Sequence, residues 1–141
     1  AVSRVTMLRH MLDTNIVIYV IKRRPPEALA HFNRHADGLC ISSITLAELY
    51  HGAEKSARVE HNLRVVESFA SRLEVLAYGP KAAMHYGQIR TALERAGQPI
   101  SENDLHIAAH ARSEGLTLVT HNQREFARVP ALLLDNWIAA A

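Results

Sequence analysis

Met11-Leu12-Asp13-Thr14-Asn15, followed at once by Ile16-Val17-Ile18-Tyr19-Val20-Ile21, is the stretch that decides the fold. An apolar run ends in an acid, a hydroxyl and an amide, and a second apolar run begins directly after them. This order predicts a buried strand, a polar turn and a helix, with the Asp13 carboxyl group at the carboxyl end of the strand. In open α/β sheets, ligand crevices form at that end of the strands.

Further strands and helices alternate along the rest of the chain. Strand-like apolar runs lie at residues 39–41, 75–76, 116–120 and 132–134, and amphipathic helical spacing is clearest over residues 59–73 and 80–96. Strands that are apolar on both faces belong to parallel sheets that are covered on both sides. The alternation therefore predicts parallel strands with helices on both faces of one sheet.

Composition restricts the class of protein. The chain has 141 residues, of which 48% are hydrophobic and 21% charged, with a net charge of +2. These values indicate one globular domain and fit a nucleic-acid partner without requiring one. The single cysteine, Cys40, predicts no disulfide and a cytoplasmic location. No apolar run approaches the ~20 residues that span a bilayer, so no membrane association is expected. We expect the domain to cover residues 7–138, with residues 1–6 as added or upstream sequence.

Three acids and an amide are predicted to meet at one edge of the sheet. Asp13 and Asn122 each follow a strand, Glu48 lies early in a helix that follows a strand, and Asp104 lies on the helix before the strand at residues 116–120. In a parallel sheet, strand ends and the helix starts that follow them share an edge. Clustered carboxylates repel one another, and a divalent cation removes that repulsion. Oxygen ligands favour magnesium, with manganese as a substitute.

Each acid also has a simpler interpretation as part of a helix cap. Thr45 and Glu48 fit the N-cap and N3 positions of a capping box, and Ser101 with Asp104 resembles the same box. Asp13 fits the cap of the helix that follows it. His106 and His110 have the spacing of a zinc pair, but Ile107-Ala108-Ala109 between them lacks the glutamate of the hydrolytic zinc motif and no third ligand is evident.

Four segments together resemble a PIN-domain ribonuclease and, within that group, a VapC toxin of a bacterial type II toxin–antitoxin pair. The resemblance runs from about residue 7 to residue 137 and rests on Asp13-Thr14-Asn15, the segment 41–49 ending in Glu48-Leu49, the segment 103–111 beginning Asn103-Asp104, and the segment 118–126 containing Asn122 and Glu125. It implies a three-layer α/β/α sandwich with a central, mostly parallel sheet.

The resemblance also implies roles for these residues. Asp13 and Asp104 would hold the metal, Glu48 would be a further ligand or orient the attacking water, and Asn122 would position water or phosphate. Asn122 replaces an acid common at its position, and Glu125 could compensate for it. Hydrogen bonds from four supporting residues would orient the carboxylates, although turn and cap roles explain them almost as well: Thr14, Asn15, Ser43 and Thr120.

The implied function is a magnesium-dependent endoribonuclease that cuts structured RNA and so inhibits translation. The resemblance points to the anticodon loop of initiator tRNA, to a homodimer, and to a cognate VapB antitoxin that places a basic side chain in the acidic pocket. Two alternatives stay open on the sequence. One is a PIN-like DNA or flap nuclease. The other is a non-catalytic module that binds RNA or a partner, which Asn122 favours because it is not an acid.

Overall fold

A single parallel sheet forms the centre of the computed structural model, which describes residues 8–138. Within that range the sheet has 5 strands in the order β3-β2-β1-β4-β5, and every pair is parallel. The predicted α/β architecture is confirmed. The strands are β1 (His10–Leu12), β2 (Leu39–Ser42), β3 (Glu74–Leu76), β4 (Thr117–Val119) and β5 (Leu134–Asp135).

Helices connect the strands and cover both faces of the sheet. They are α1 (Thr14–Lys22), α2 (Pro26–Arg34), α3 (Ser43–Glu54), α4 (Val59–Ala70), α5 (Pro80–Arg95), α6 (Glu102–Ser113) and α7 (Gln123–Phe126). Pro26 and Pro80 begin their helices, where a missing N–H costs nothing. Gly97 and Gly115 follow α5 and α6 with φ of 66°, a left-handed conformation that glycine adopts without steric cost. Between Leu8 and Ile138, no helix is both long and apolar enough to cross a bilayer.

Two hydrophobic cores explain why the strands are apolar on both faces. Leu12, Ile41 and Val119 face a core built with α1 to α4, whereas the adjacent Cys40 and Leu118 face a second core built with α5 to α7. Successive residues of a strand point to opposite faces, so β1, β2 and β4 each contribute to both cores, whereas Leu76 of β3 and Leu134 of β5 pack only against the second. Burial raises the pKa of Cys40 to about 12, which fits an inert core thiol.

The carboxyl ends of the central strands lie level with one another. The Asp13 N–H donates to the carbonyl oxygen of Val119 at 2.9 Å, and the Thr120 N–H donates to the carbonyl oxygen of Asp135 at 2.9 Å. Asp13 and Thr120 therefore leave the sheet side by side, although they are 107 positions apart in sequence.

The alternative interpretation of Thr45 as the cap of its helix is wrong. Helix α3 begins at Ser43, and Ser42 is its N-cap, with the Ser42 hydroxyl accepting the Ile44 N–H at 3.0 Å. Thr45 is instead a buried residue inside the helix, and Glu48 lies in the second turn. The capping-box interpretation of Glu48 is therefore excluded. The predicted upstream segment, residues 1–6, and Met7 lie outside the described residues.

Candidate active site

Asp13 is both the cap of a helix and a buried acid. As N-cap of α1, its Oδ1 accepts the Thr14 N–H at 2.8 Å, and its Oδ2 accepts the Thr120 hydroxyl at 2.8 Å. The residue is only 4% exposed. Asp13 is therefore a helix cap as predicted, but a cap alone requires neither this burial nor the second hydrogen bond from Thr120, which directly follows β4.

Hydrogen bonds from two other elements hold Glu48 beside Asp13. The Thr14 hydroxyl donates to Glu48 Oε1, and Asn103 Nδ2 donates to Glu48 Oε2 at 3.0 Å. The Thr14 hydroxyl also lies 3.4 Å from the hydroxyl of Thr45. The two oxygens of Glu48 are thus fixed by α1 on one side and by the first turn of α6 on the other.

The pKa values show that the acids interact. Burial, followed by the charges of Asp104 and Glu48, raises the pKa of Asp13 to about 6, against the hydrogen bonds from Thr120 and Thr14. Burial also raises the pKa of Asp104, and the charges of Glu125 and Glu48 add to that shift, while a hydrogen bond from Ser101 opposes it. The four acids therefore share one electrostatic environment.

The remaining predicted residues lie around this centre in different ways. The Asn122 N–H donates to the Thr120 hydroxyl at 2.9 Å, which links the turn after β4 to the Asp13 carboxylate. The Ser43 hydroxyl accepts the Tyr78 N–H at 3.1 Å and so ties α3 to the segment after β3. Asn15 is exposed in the first turn of α1, and no side-chain hydrogen bond joins it to another described residue.

The donor set fits a hydrated divalent cation. Within residues 8–138, no three His, Cys, Asp or Glu side chains stand close enough to enclose an ion unaided. Magnesium does not need such a cage, because it usually keeps several waters and takes one or two carboxylates. Buried Asp13 and half-buried Asp104 offer that number of hard oxygen ligands, and a cation would compensate both the burial and the neighbouring charges that raise their pKa values.

A family model for the PIN domain matches residues 10–132. The chain belongs to the PIN domain family. It is 61% identical over 132 residues to ribonuclease VapC2 of Haemophilus influenzae, spanning 94% of this chain and 100% of that protein. It is 53% identical over 131 residues to the tRNA(fMet)-specific endonuclease VapC of Salmonella typhimurium, and the match spans 93% of this chain and 99% of that protein. A chain in the crystal structure of DNA-bound VapBC from Salmonella typhimurium superposes with a TM-score of 0.90 at 52% identity, covering 94% of this chain and 100% of that one. Within the PIN family, the chain therefore belongs with the VapC ribonucleases.

The two histidines of α6 serve this PIN domain separately and do not form a zinc pair. His110 is buried, and its Nδ1 lies 2.8 Å from the Ser42 hydroxyl. His106 Nδ1 lies 2.8 Å from the Tyr78 hydroxyl, and its Nε2 lies 3.3 Å from Glu102. Each ring has its own partners, so their regular spacing reflects the packing of one helix against β2 and α5.

Sequence reasoning missed one contributor to the site. Thr45 was interpreted as a cap, although its buried hydroxyl lies 3.4 Å from that of Thr14. The only available signal was its position, four residues after the predicted strand at residues 39–41.

Proposed function

We propose that this PIN domain is a magnesium-dependent endoribonuclease that hydrolyses a phosphodiester bond in structured RNA. The observation that carries the proposal is the group of acids around buried Asp13, whose pKa their charges help to raise to about 6. A group of this kind is costly for a folded protein unless a cation or a proton compensates it. Family membership supports the class of reaction, and the acids would bind the metal that the reaction needs.

Asp13 and Asp104 would hold the metal. When bound between these carboxylates, magnesium would lower the pKa of a coordinated water and neutralise charge on the phosphate in the transition state. Asp13 suits this role because hydrogen bonds from Thr14 and Thr120 fix both of its oxygens. Asp104 lies in the first turn of α6, so the positive end of that helix dipole would also lie near the phosphate.

Glu48 would be a further metal ligand or would orient the attacking water. Both of its oxygens already accept hydrogen bonds, from Thr14 and from Asn103. A carboxylate oxygen has more than one lone pair, so each can still accept a proton from a water held over the site. Asn122 would position the phosphate or that water, and Glu125, whose charge acts on Asp104, supplies further negative charge near the metal.

The substrate and partners follow from the relatives. The tRNA(fMet)-specific relative at 53% identity supports transfer RNA, and specifically initiator tRNA, as the target. The VapBC complex at 52% identity supports a VapB-type antitoxin as the partner of this toxin. The resemblance to VapC toxins adds a homodimer, and the single buried thiol fits a reducing cytoplasm.

End-mapping of cellular RNA after brief expression tests the proposal. We expect wild type to produce a small number of new RNA 5′ ends, and Asp13→Asn to produce none while remaining folded. The matched control is Asp37→Asn, which alters an exposed acid in the 3₁₀ turn before β2 and should cleave as wild type does. Growth arrest or cleavage that survives Asp13→Asn would contradict the proposal. Preferential cutting of a matched DNA substrate would instead support the DNA-nuclease alternative.

A further inference from the structure

The aromatic rings that reach the surface are unevenly placed. The 3 phenylalanines and the tryptophan are all buried in the two cores. Beside the acids, however, Tyr78, Tyr86 and His106 form a partly exposed cluster, which we call the aromatic ledge. The rings of Tyr86 and His106 are stacked, with centroids 4.4 Å apart and planes inclined by 9°, and Tyr78 meets His106 edge-on at 5.1 Å.

The aromatic ledge is continuous with the candidate active site. Asn103, which donates to Glu48, and His106 are three positions apart on α6 and so lie on neighbouring positions of one helix face. The ledge is connected to α3 as well, because the Tyr78 N–H donates to the Ser43 hydroxyl at the start of that helix. A nucleotide next to the cleaved phosphate would therefore lie within reach of these rings.

Hydrogen bonds fix the polar edges of all three rings. The Tyr78 hydroxyl is hydrogen-bonded to His106 Nδ1 at 2.8 Å. Glu102 accepts a hydrogen bond from the Tyr86 hydroxyl, and Arg90 donates one to that hydroxyl at 2.8 Å. The negative charge of Glu102 is offset by Arg90 at 3.6 Å. Tyr86 and His106 each cover one face of the other ring, so with the polar edges also occupied a base would have to add to the outside of this stack.

We propose that the aromatic ledge stacks an unpaired base of the RNA beside the cleaved phosphate, and that Arg90 contacts the backbone there. The inference rests on the ribonuclease proposal. Proteins recognise RNA loops by stacking splayed bases on aromatic side chains, whereas paired bases are not accessible in this way. Arg90 is exposed, and its guanidinium donates to the Tyr86 hydroxyl and lies 6.0 Å from the ring centroid, so a positive charge is held at the edge of the ledge. The ledge would thus select RNA loops over helices.

Binding measurements in an inactive background test the ledge separately from catalysis. The parent protein carries Asp13→Asn, and the probe is an RNA hairpin with the anticodon-loop sequence of initiator tRNA. Tyr86→Leu, which keeps apolar bulk against the core, should weaken binding about tenfold, because the base would lose the aromatic stack that holds it. Tyr86→Phe keeps the ring and should stay within about twofold of the parent, and Met84→Ala, at an exposed position on the same helix, should match the parent.

A second set of probes identifies the stacked base. Hairpins that each lack one loop base should include one that binds the parent about tenfold more weakly, and Tyr86→Leu should add no further loss with that hairpin. If the two losses multiply, or if Tyr86→Leu binds the intact hairpin as the parent does, the inference is wrong. A parent that is indifferent to every missing base overturns it even if Tyr86→Leu fails to fold. RNA cleavage by Asp13→Asn itself would instead refute the ribonuclease mechanism.

Discussion

At the scale of single residues, the environment of Asp13 disfavours its charged form, so removing the charge by mutation should stabilise the protein. Its pKa of about 6 lies above the ordinary value of 3.8, so the charged form costs about 3 kcal/mol at neutral pH at ~1.4 kcal/mol per unit. In metal-free buffer at pH 7.5, Asp13→Asn should therefore raise the free energy of unfolding by about 1–3 kcal/mol. Some of the gain is lost because the amide has one oxygen fewer to accept hydrogen bonds from Thr14 and Thr120.

The pH dependence of the same pair provides the check. A carboxyl group whose pKa is raised on folding contributes stability that is complete below the unfolded pKa and is lost as pH rises through the folded pKa. Wild type in chelator should therefore lose stability between about pH 4 and pH 6, and Asp13→Asn should lack that component. Urea unfolding at several pH values measures both proteins. A variant that is less stable than wild type at pH 7.5 would show that Asp13 acts mainly as a cap.

Thr14 should matter to the reaction through Glu48. Its hydroxyl donates to Glu48 Oε1, and valine has the same shape without the hydroxyl. We expect Thr14→Val to lower kcat about tenfold with little change in KM. The variant would misplace Glu48, and the interaction lost would be one that Glu48 makes only in the transition state. Thr14→Ser keeps the hydroxyl and should restore most of kcat. A rise in KM alone would mean that Thr14 contacts RNA instead.

At the scale of elements, helix α6 is attached to β2 by His110, and this attachment should be acid-sensitive. Burial lowers the pKa of His110 below its ordinary 6.5. The neutral ring therefore contributes stability above about pH 6.5, and that stability is lost as pH falls through the folded pKa. His110→Gln does not titrate and keeps a polar group near the Ser42 hydroxyl. Its free energy of unfolding should fall less between pH 7.5 and pH 5 than that of wild type; equal slopes in urea titrations would contradict this account.

The sequence predicted the elements better than their ends. Each parallel strand was predicted from a short apolar run, which in β1, β2 and β4 reflects burial on both faces. The positions of Pro26 and Gly97 marked helix ends through their backbone preferences. The interpretation of Thr45 as the cap of α3 was wrong because Ser42, Ser43 and Thr45 are all good caps. Which hydroxyl accepts the first N–H depends on where β2 ends in the sheet, and local sequence does not contain that information.

At the scale of the whole molecule, the sheet topology made the position of the candidate site predictable, but the side-chain contacts within the site could not be predicted. Parallel strands place Asp13, Glu48 and Asp104 at one edge regardless of detail. The bonds that fix them join residues far apart in sequence, 34 positions for Thr14 to Glu48 and 55 for Asn103 to Glu48. No periodicity connects such pairs, so the role of Asn103 and the position of the aromatic ledge required coordinates.

The segment at residues 137–138 packs into the first core, and its loss should lower the free energy of unfolding even though the family model stops at residue 132. Trp137 is 1% exposed in the core beside β1, and it stacks on His31 of α2 and on His35, which follows α2, with ring centroids 5.6 and 5.7 Å away. Replacing a buried aromatic ring by alanine costs about 3–5 kcal/mol through lost burial and the cavity left behind. Trp137→Ala should therefore lower the free energy of unfolding by that amount in urea titrations.

Two further variants separate this packing effect from simple disturbance of the last segment. Leu133→Ala lies just before β5 but is 60% exposed, so it should change the free energy of unfolding by less than about 0.5 kcal/mol. Trp137→Phe should cost less than Trp137→Ala, since it keeps a ring and removes an indole N–H that is buried without a hydrogen-bond partner among the described residues. If Leu133→Ala and Trp137→Ala destabilise equally, the segment acts as a tether and not as part of the core. The stacked tryptophan would then not be what joins the first and last elements of the fold.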